Sequence, residues 1–226
     1  MTTFSQLVDD VVKELLRPDQ LENIATYTNQ TIRELHIRPS TQSQTFFDAN
    51  RVEEELAVLT DGPWLWSIPS VTRFQKLEAI YCPQMNLYIQ EKTPSVAFRN
   101  SDDPFHNYYW YRTGPQIAVA GALAGLDLQL SYFMYPRTFP YKLLVNRIVK
   151  FDADLDAYVL IAGGGTPTQD QIDAETAWPL QRWPDAIKEG VRAKLFKRLG
   201  DSDRTRMAYS AFESMRMAVW NSEPSS

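Results

Sequence analysis

The sequence predicts an α+β protein: a terminal helical bundle with an inserted antiparallel β region. Three observations predict it. Helical periodicity opens and closes the chain, period-two alternation fills the middle, and neither helical end can bury its apolar stripe alone. The cheapest partner for each end is the other end. The bundle is therefore expected over residues 1–45 and 182–226, and the β-rich domain over 46–181.

The first helix follows from Phe4, Leu7, Val8, Val11, Val12, Leu15 and Leu16, spaced three and four apart. Thr3 is its expected cap, and Pro18 ends it by removing a donor. A second helix is expected from about Asp19, as cap, to about His36, with Leu21, Ile24, Ala25, Ile32 and Leu35 inward. Arg51–Thr60 reads as a short helix or a strand. Trp64 and Trp66 alternate around Leu65, as on extended chain. Leu77–Cys82 and Leu87–Gln90 flank a Pro83–Asn86 break, the pattern of a hairpin.

Tyr108-Tyr109-Trp110-Tyr111 reads as a strand, and Ile117 and Val119 alternate with small residues. Gly121 and Gly125 frame a turn. Leu126, Leu128, Leu130, Tyr132 and Met134 then alternate with Asp127, Gln129, Ser131 and Phe133, the clearest half-buried strand of the chain. Pro136 and Pro140 stop it. Tyr141–Arg182 is expected to be a long connection with a strand at Tyr158–Ile161. Trp183-Pro184-Asp185 opens a helix striped by Ile187, Val191, Leu195 and Leu199. Gly200 ends it, and Asp201 or Ser202 caps the next helix, which carries Met207, Ala208, Ala211, Phe212, Met215 and Val219.

Composition limits the function classes. The 226 residues are 44% hydrophobic and 23% charged, enough for a core, and the 12% of aromatics suits cores and interfaces alike. A net charge of −5 argues against coating nucleic acid, though not against a local basic patch. With Cys82 as the one cysteine, no intrachain disulfide can form. His36, His106 and Cys82 are too few and scattered for a metal site. Met1–Ser5 has no basic region before an apolar run, so no secretory leader is expected. No apolar stretch is long enough for a transmembrane helix. The protein is expected to be soluble and cytosolic when made.

The motifs that carry chemistry are incomplete. Gly163-Gly164-Gly165 follows an apolar segment, but no Gly-Lys-Ser/Thr comes after it, so a loop is expected rather than a phosphate site. Asp152, Asp154 and Asp156 alternate like calcium-loop ligands, but Ala157 stands where that loop needs glycine and Gly163 where it needs glutamate. No nucleophile, histidine and acid fall in a catalytic pattern, and no carboxylate spacing singles out an acid–base pair. No enzyme activity and no cofactor are expected. The Tyr108–Tyr111 quartet is read as a strand with one aromatic face in the core and one in an interface. From Arg182 to Arg216, nine basic residues stand against five acidic ones. Arg192, Lys194, Lys197 and Arg198 are the candidates there for contact with an acidic partner. The competing reading is a helix face balancing acidic Asp9, Asp10, Glu14, Asp19 and Glu22.

In its order of parts the chain resembles the head-to-tail adaptor (connector, or head-completion) proteins of tailed bacteriophages. The resemblance begins with the opening Phe4–His36, which contains Asn29-Gln30-Thr31-Ile32-Arg33-Glu34. It continues with Tyr111-Arg112-Thr113-Gly114, Gln116–Val119, and Leu128–Tyr135 ending in Tyr135-Pro136. It closes with Trp183-Pro184-Asp185-Ala186-Ile187, through Leu199-Gly200-Asp201 to Phe212. Leu144–Gln181 matches nothing in that family.

The resemblance implies a virion structural protein, assembled from the host cytoplasm into a homo-oligomeric ring, a dodecamer in the family pattern. Such a ring sits at the neck, under the portal, and leads DNA toward the tail. The implied partners are further copies, the portal protein and a tail or nozzle protein, with DNA passing through without sequence-specific contact and no membrane involved. By that analogy Phe212, Met215, Met217 and Trp220 are portal-docking candidates, and exposed Met and Trp suit irregular grooves. Tyr108, Tyr109, Trp110 and Tyr111 are candidates for tail-side or inter-subunit contact. The alternative is a tail-associated β-sandwich module binding glycans or another tail protein.

Overall fold

The computed structural model describes residues 3–37, 50–58, 64–93, 108–121, 124–141, 147–162 and 178–222. It is a mixed α+β structure, with N-terminal helices packing on C-terminal helices and central β-sheets inserted between them. The chain divides into two compact units, a helical one of residues 1–49 and 136–226 and a β one of residues 50–135.

The helical unit opens with α1 (Phe4–Leu15). Thr3 and Gln6 cap it reciprocally: Thr3 Oγ1 accepts from Gln6 N, and Gln6 Oε1 accepts from Thr3 N. Phe4, Leu7, Val8 and Val11 are fully buried. A 3₁₀ turn (Pro18–Gln20) leads into α2 (Leu21–Leu35). Asp19, the cap expected from the sequence, does not cap α2. Its carboxylate is held by Arg17 at 2.8 Å instead, and Gln20 takes the cap position without a side-chain bond. Ile24, Ile32 and Leu35 are buried, together with Thr28 and Thr31.

From the C-terminal half come α3 (Trp178–Arg182), α4 (Pro184–Arg198) and α5 (Ser202–Ser222). Helix α4 touches α1, α2, α3 and α5, so it is the centre of the bundle. Its buried residues (Ala186, Ile187, Gly190, Val191, Ala193 and Leu195) therefore surround more of the helix than one stripe. Gly200, at φ +76°, turns the chain, and Asp201 Oδ1 accepts from Arg204 N to start α5. Leu199, expected in the stripe, is 40% exposed because it lies beyond the last packed turn.

The β unit contains β1 (Arg51–Ala57), β2 (Trp64–Ser67), β3 (Phe74–Cys82), β4 (Leu87–Tyr88), β5 (Gln90–Glu91), β6 (Tyr109–Thr113), β7 (Gln116–Ala120) and β8 (Asp127–Met134). One sheet has the order β1-β8-β3-β4, all antiparallel. The other has the order β2-β7-β6-β5, with β5 parallel to β6. A single apolar cluster joins them: Leu128, Leu130, Tyr132 and Met134 of β8, Ile80 and Leu77 of β3, Trp66, Ile117 and Val119. The alternation read in β8 is thus the inner face of a two-sheet sandwich. Asn86, at φ +49°, closes the β3–β4 turn.

The inserted unit is shorter than the expected 46–181. After Tyr135 the chain belongs to the helical unit, where a hairpin of β9 (Arg147–Asp152) and β10 (Ala157–Ala162) also lies. The cause is a set of contacts with the helices. Phe139 is buried and stacks on Phe4 at 5.9 Å and on Tyr158 at 5.4 Å. The Asn29 amide donates to the Phe139 carbonyl and accepts from its N–H, both at 2.9 Å. Tyr141 donates its hydroxyl to Asp9 at 2.5 Å. The aspartate series turns the hairpin: Asp152 Oδ1 accepts from Asp154 N and Leu155 N, while Asp156, at φ +46°, pairs with Arg137 at 2.9 Å. Gly163–Gly165 and His106 lie outside the described residues.

Candidate interaction surfaces

The four portal-docking candidates on α5 do not share one surface. Phe212 is 2% exposed and lies in the helical core beside Gly190 of α4. Trp220 is buried, and its Nε1 donates to the Leu35 carbonyl at 3.0 Å, satisfying a free carbonyl at the end of α2. Both are packed inside the helical unit, which leaves neither exposed for docking. Met217 is half-buried, and Met215 is exposed. Met215 lines an open groove of about 410 Å³ with Trp183, Pro184, Ala218 and Val219, formed where the start of α4 meets the last turns of α5.

The electrostatic candidates divide as well. Lys188 reaches Asp10 and Glu14 at 3.5 and 3.4 Å. Arg192 pairs with Glu14 and Glu189, and Lys194 pairs with Glu34. Burial raises the Glu14 pKa, but the Arg192 hydrogen bond and the charges of Lys188 and Arg192 outweigh it and hold the carboxyl below its ordinary value. These pairs lie on the rim of the α1–α2–α4 contact, so the basic face of α4 balances the acidic N-terminal helices. Lys197 and Arg198 are exposed, and neither forms an ion pair among the described residues.

The Tyr108–Tyr111 quartet also splits. Trp110 is in the sandwich core, and Tyr108 packs against it. On the opposite face of β6, Tyr109 stacks with Tyr111 at 6.3 Å, and Lys92 Nζ lies 5.0 Å from the Tyr109 ring. Tyr109 is only 9% exposed, which leaves Tyr111 as the accessible ring of that pair.

One surface was not found by sequence reasoning. The outer face of the β1-β8-β3-β4 sheet forms a concavity of about 700 Å³. Register places Glu53 opposite Ser131 and Glu55 opposite Gln129. Glu78 accepts from Arg51 at 2.9 Å and from Ser131 at 2.7 Å, and Tyr88, 67% exposed, packs on Tyr81 at 4.8 Å. Near the junction of α4 and α5 the helical unit exposes Leu199, Met207 (72% exposed) and Tyr209, together with Lys197, Arg198, Arg204 and Arg206, on different sides of the helices. The Glu53-Glu54-Glu55 run was the available signal for the sheet face. Without β1 fixed as a strand, its outward-facing members could not be identified.

Among the described residues no group of three or more His, Cys, Asp or Glu side chains is placed to hold a metal ion, and no helix is long and apolar enough to cross a membrane. Cys82 is buried. His36 is buried and donates from Nδ1 to the Ile32 carbonyl at 2.6 Å. Burial holds its pKa down at about 4. No protein-family model matches the chain, and no curated protein matches it. What the geometry defines is two surface features, an acidic concavity on the β1-β8-β3-β4 sheet and an open groove beside Met215 and Trp183.

Proposed function

We propose that this protein is a virion structural protein, a head-to-tail adaptor whose copies form a ring joining the portal to the tail. The observation that carries the reading is the layout. Both ends of the chain build one helical body, and residues 50–135 leave it and return to it as a separate β sandwich. One body can then grip the portal side while the other meets the tail or nozzle protein. Function comes from interfaces formed in order during assembly, with no turnover and no cofactor.

The remaining features agree with that role. The net charge of −5 suits a channel wall that releases passing DNA. Exposed apolar side chains on α5, Met207, Tyr209 and Met215, suit contact with another protein. With Phe212 and Trp220 in the core, portal docking on this helix falls to Met215 and the groove beside Trp183. Assembly would run from the host cytoplasm to the neck of the particle, without a membrane step.

The test is where the protein ends up. Particles purified from infected cells should contain it in a fixed number of copies per virion, and antibody labelling should mark the head–tail junction. Absence from mature particles would overturn the proposal.

A further inference from the structure

β1 lies at the end of the β1-β8-β3-β4 sheet, so one of its edges pairs with β8 and the other faces away from the sheet. On that outer edge none of residues 52–57 has a further hydrogen-bond partner among the described residues. The strand is seven residues long, keeps one register along its whole length and contains no proline. Natural edges are shortened, bulged or studded with lysine or proline, which stops another strand from adding. β1 has none of these devices. It carries Glu53, Glu54 and Glu55 in succession instead.

These carboxylates serve both sides of the strand. Glu53 and Glu55 are exposed on the outer sheet face, where Glu55 accepts from Gln129 at 3.1 Å. Glu54 alternates to the other side and accepts from the Tyr132 hydroxyl at 3.3 Å. None of the three forms an ion pair among the described residues. With Glu78 they line the concavity of about 700 Å³, and Arg51 is the one cation among its lining residues, so three negative charges stand uncompensated there.

We infer that the free edge of β1 receives an extended basic segment of another protein as an added strand, with consecutive lysines or arginines opposite Glu53, Glu54 and Glu55. Backbone pairing supplies the affinity, and the carboxylates select the partner. Successive side chains of an added strand point to opposite sheet faces. A basic residue at each of three neighbouring positions therefore meets a carboxylate, which a strand with every second residue basic would not achieve. The outer concavity gives the long stems of such side chains room to lie on the sheet. A second copy of β1 on this edge would set glutamate against glutamate, a destabilising pairing. The inference stands apart from the adaptor reading, because it names the chemistry of a partner and not its place in a particle.

The test is fluorescence anisotropy of the full chain with a labelled heptapeptide, Thr-Val-Lys-Lys-Lys-Val-Thr. Binding should saturate, and amide exchange across β1 should slow in the complex. Glu53→Gln with Glu54→Gln and Glu55→Gln should weaken binding at least about tenfold, with circular dichroism showing the variant folded. Two further peptides, N-methylated at alternate residues in complementary sets, keep every charge and need no change to the protein. One of them should bind at least about tenfold more weakly, because its blocked N–H groups are those that face β1. Spermine, which has the charge without a peptide backbone, should displace the heptapeptide only at a concentration at least about tenfold higher. No saturable binding, or binding untouched by the glutamate substitutions, would overturn the inference. Equal binding of both methylated peptides, or displacement by spermine at matching concentration, would overturn it by showing attraction without an added strand. Protection of the β1 amides that rises with the concentration of the chain alone would give the edge to a second copy and overturn it as well.

Discussion

At the residue scale, Gly190 sets how closely α4 approaches α2. A Cβ there would lie 2.4 Å from Thr31 Cγ2 and 3.0 Å from the Phe212 ring. Thr31 is β-branched and fully buried, so its methyl has little room to move. Gly190→Ala should lower stability by about 1–3 kcal/mol through overpacking, and adding Thr31→Ser should recover part of the loss, measured by denaturant unfolding. His36 makes the bundle acid-sensitive. Its pKa is about 4 in the fold against an ordinary 6.5, so its contribution is complete above pH 6.5 and is lost as the pH falls toward 4. Melts between pH 7 and 4 should show the helical unit weakening over that window. His36→Gln should melt lower at pH 7 but with a shallower slope. An unchanged slope would remove His36 from the account.

At the element scale, Trp220 clips α5 to the end of α2. It is buried and donates to the Leu35 carbonyl, while the Arg216 guanidinium donates to the carbonyl of Ile37 at 3.1 Å. Trp220→Phe should cost about 1 kcal/mol for the lost hydrogen bond, and Trp220→Ala about 3–5 kcal/mol for the cavity, by denaturant unfolding. Deleting the end of α5 is therefore no clean test of docking, since it removes core. Substituting Met215 is cleaner. What the sequence showed at this scale follows from periodicity. β8 was legible because one of its faces is dry and the other wet, so its apolar residues alternate. α1 was legible because Thr3 and Pro18 mark its two ends. β9 was not: Arg147–Asp152 mixes charged and apolar residues and is set by pairing with β10, which is a tertiary fact. Phe212 and Trp220 were misplaced because a stripe on the last helix looks the same whether it faces its own chain or another.

At the scale of the whole molecule, the α+β class and the meeting of both chain ends followed from two helical segments that each lacked a partner. The boundary at Pro136 did not, because the bonds of Asn29 to Phe139 and of Tyr141 to Asp9 join positions more than a hundred residues apart. The acidic sheet face stayed hidden for a related reason. Register brings Glu53, Glu55 and Glu78 onto one surface, and no local pattern encodes register between distant strands.

The claim on which the rest depends is that this chain acts through contacts with copies of itself, and native mass spectrometry of the purified protein across concentration, alone and with portal rings, tests it most directly. The account predicts one closed assembly larger than a dimer, formed by the protein alone or on the portal. A single-subunit mass at every concentration, unchanged by the portal, would contradict it.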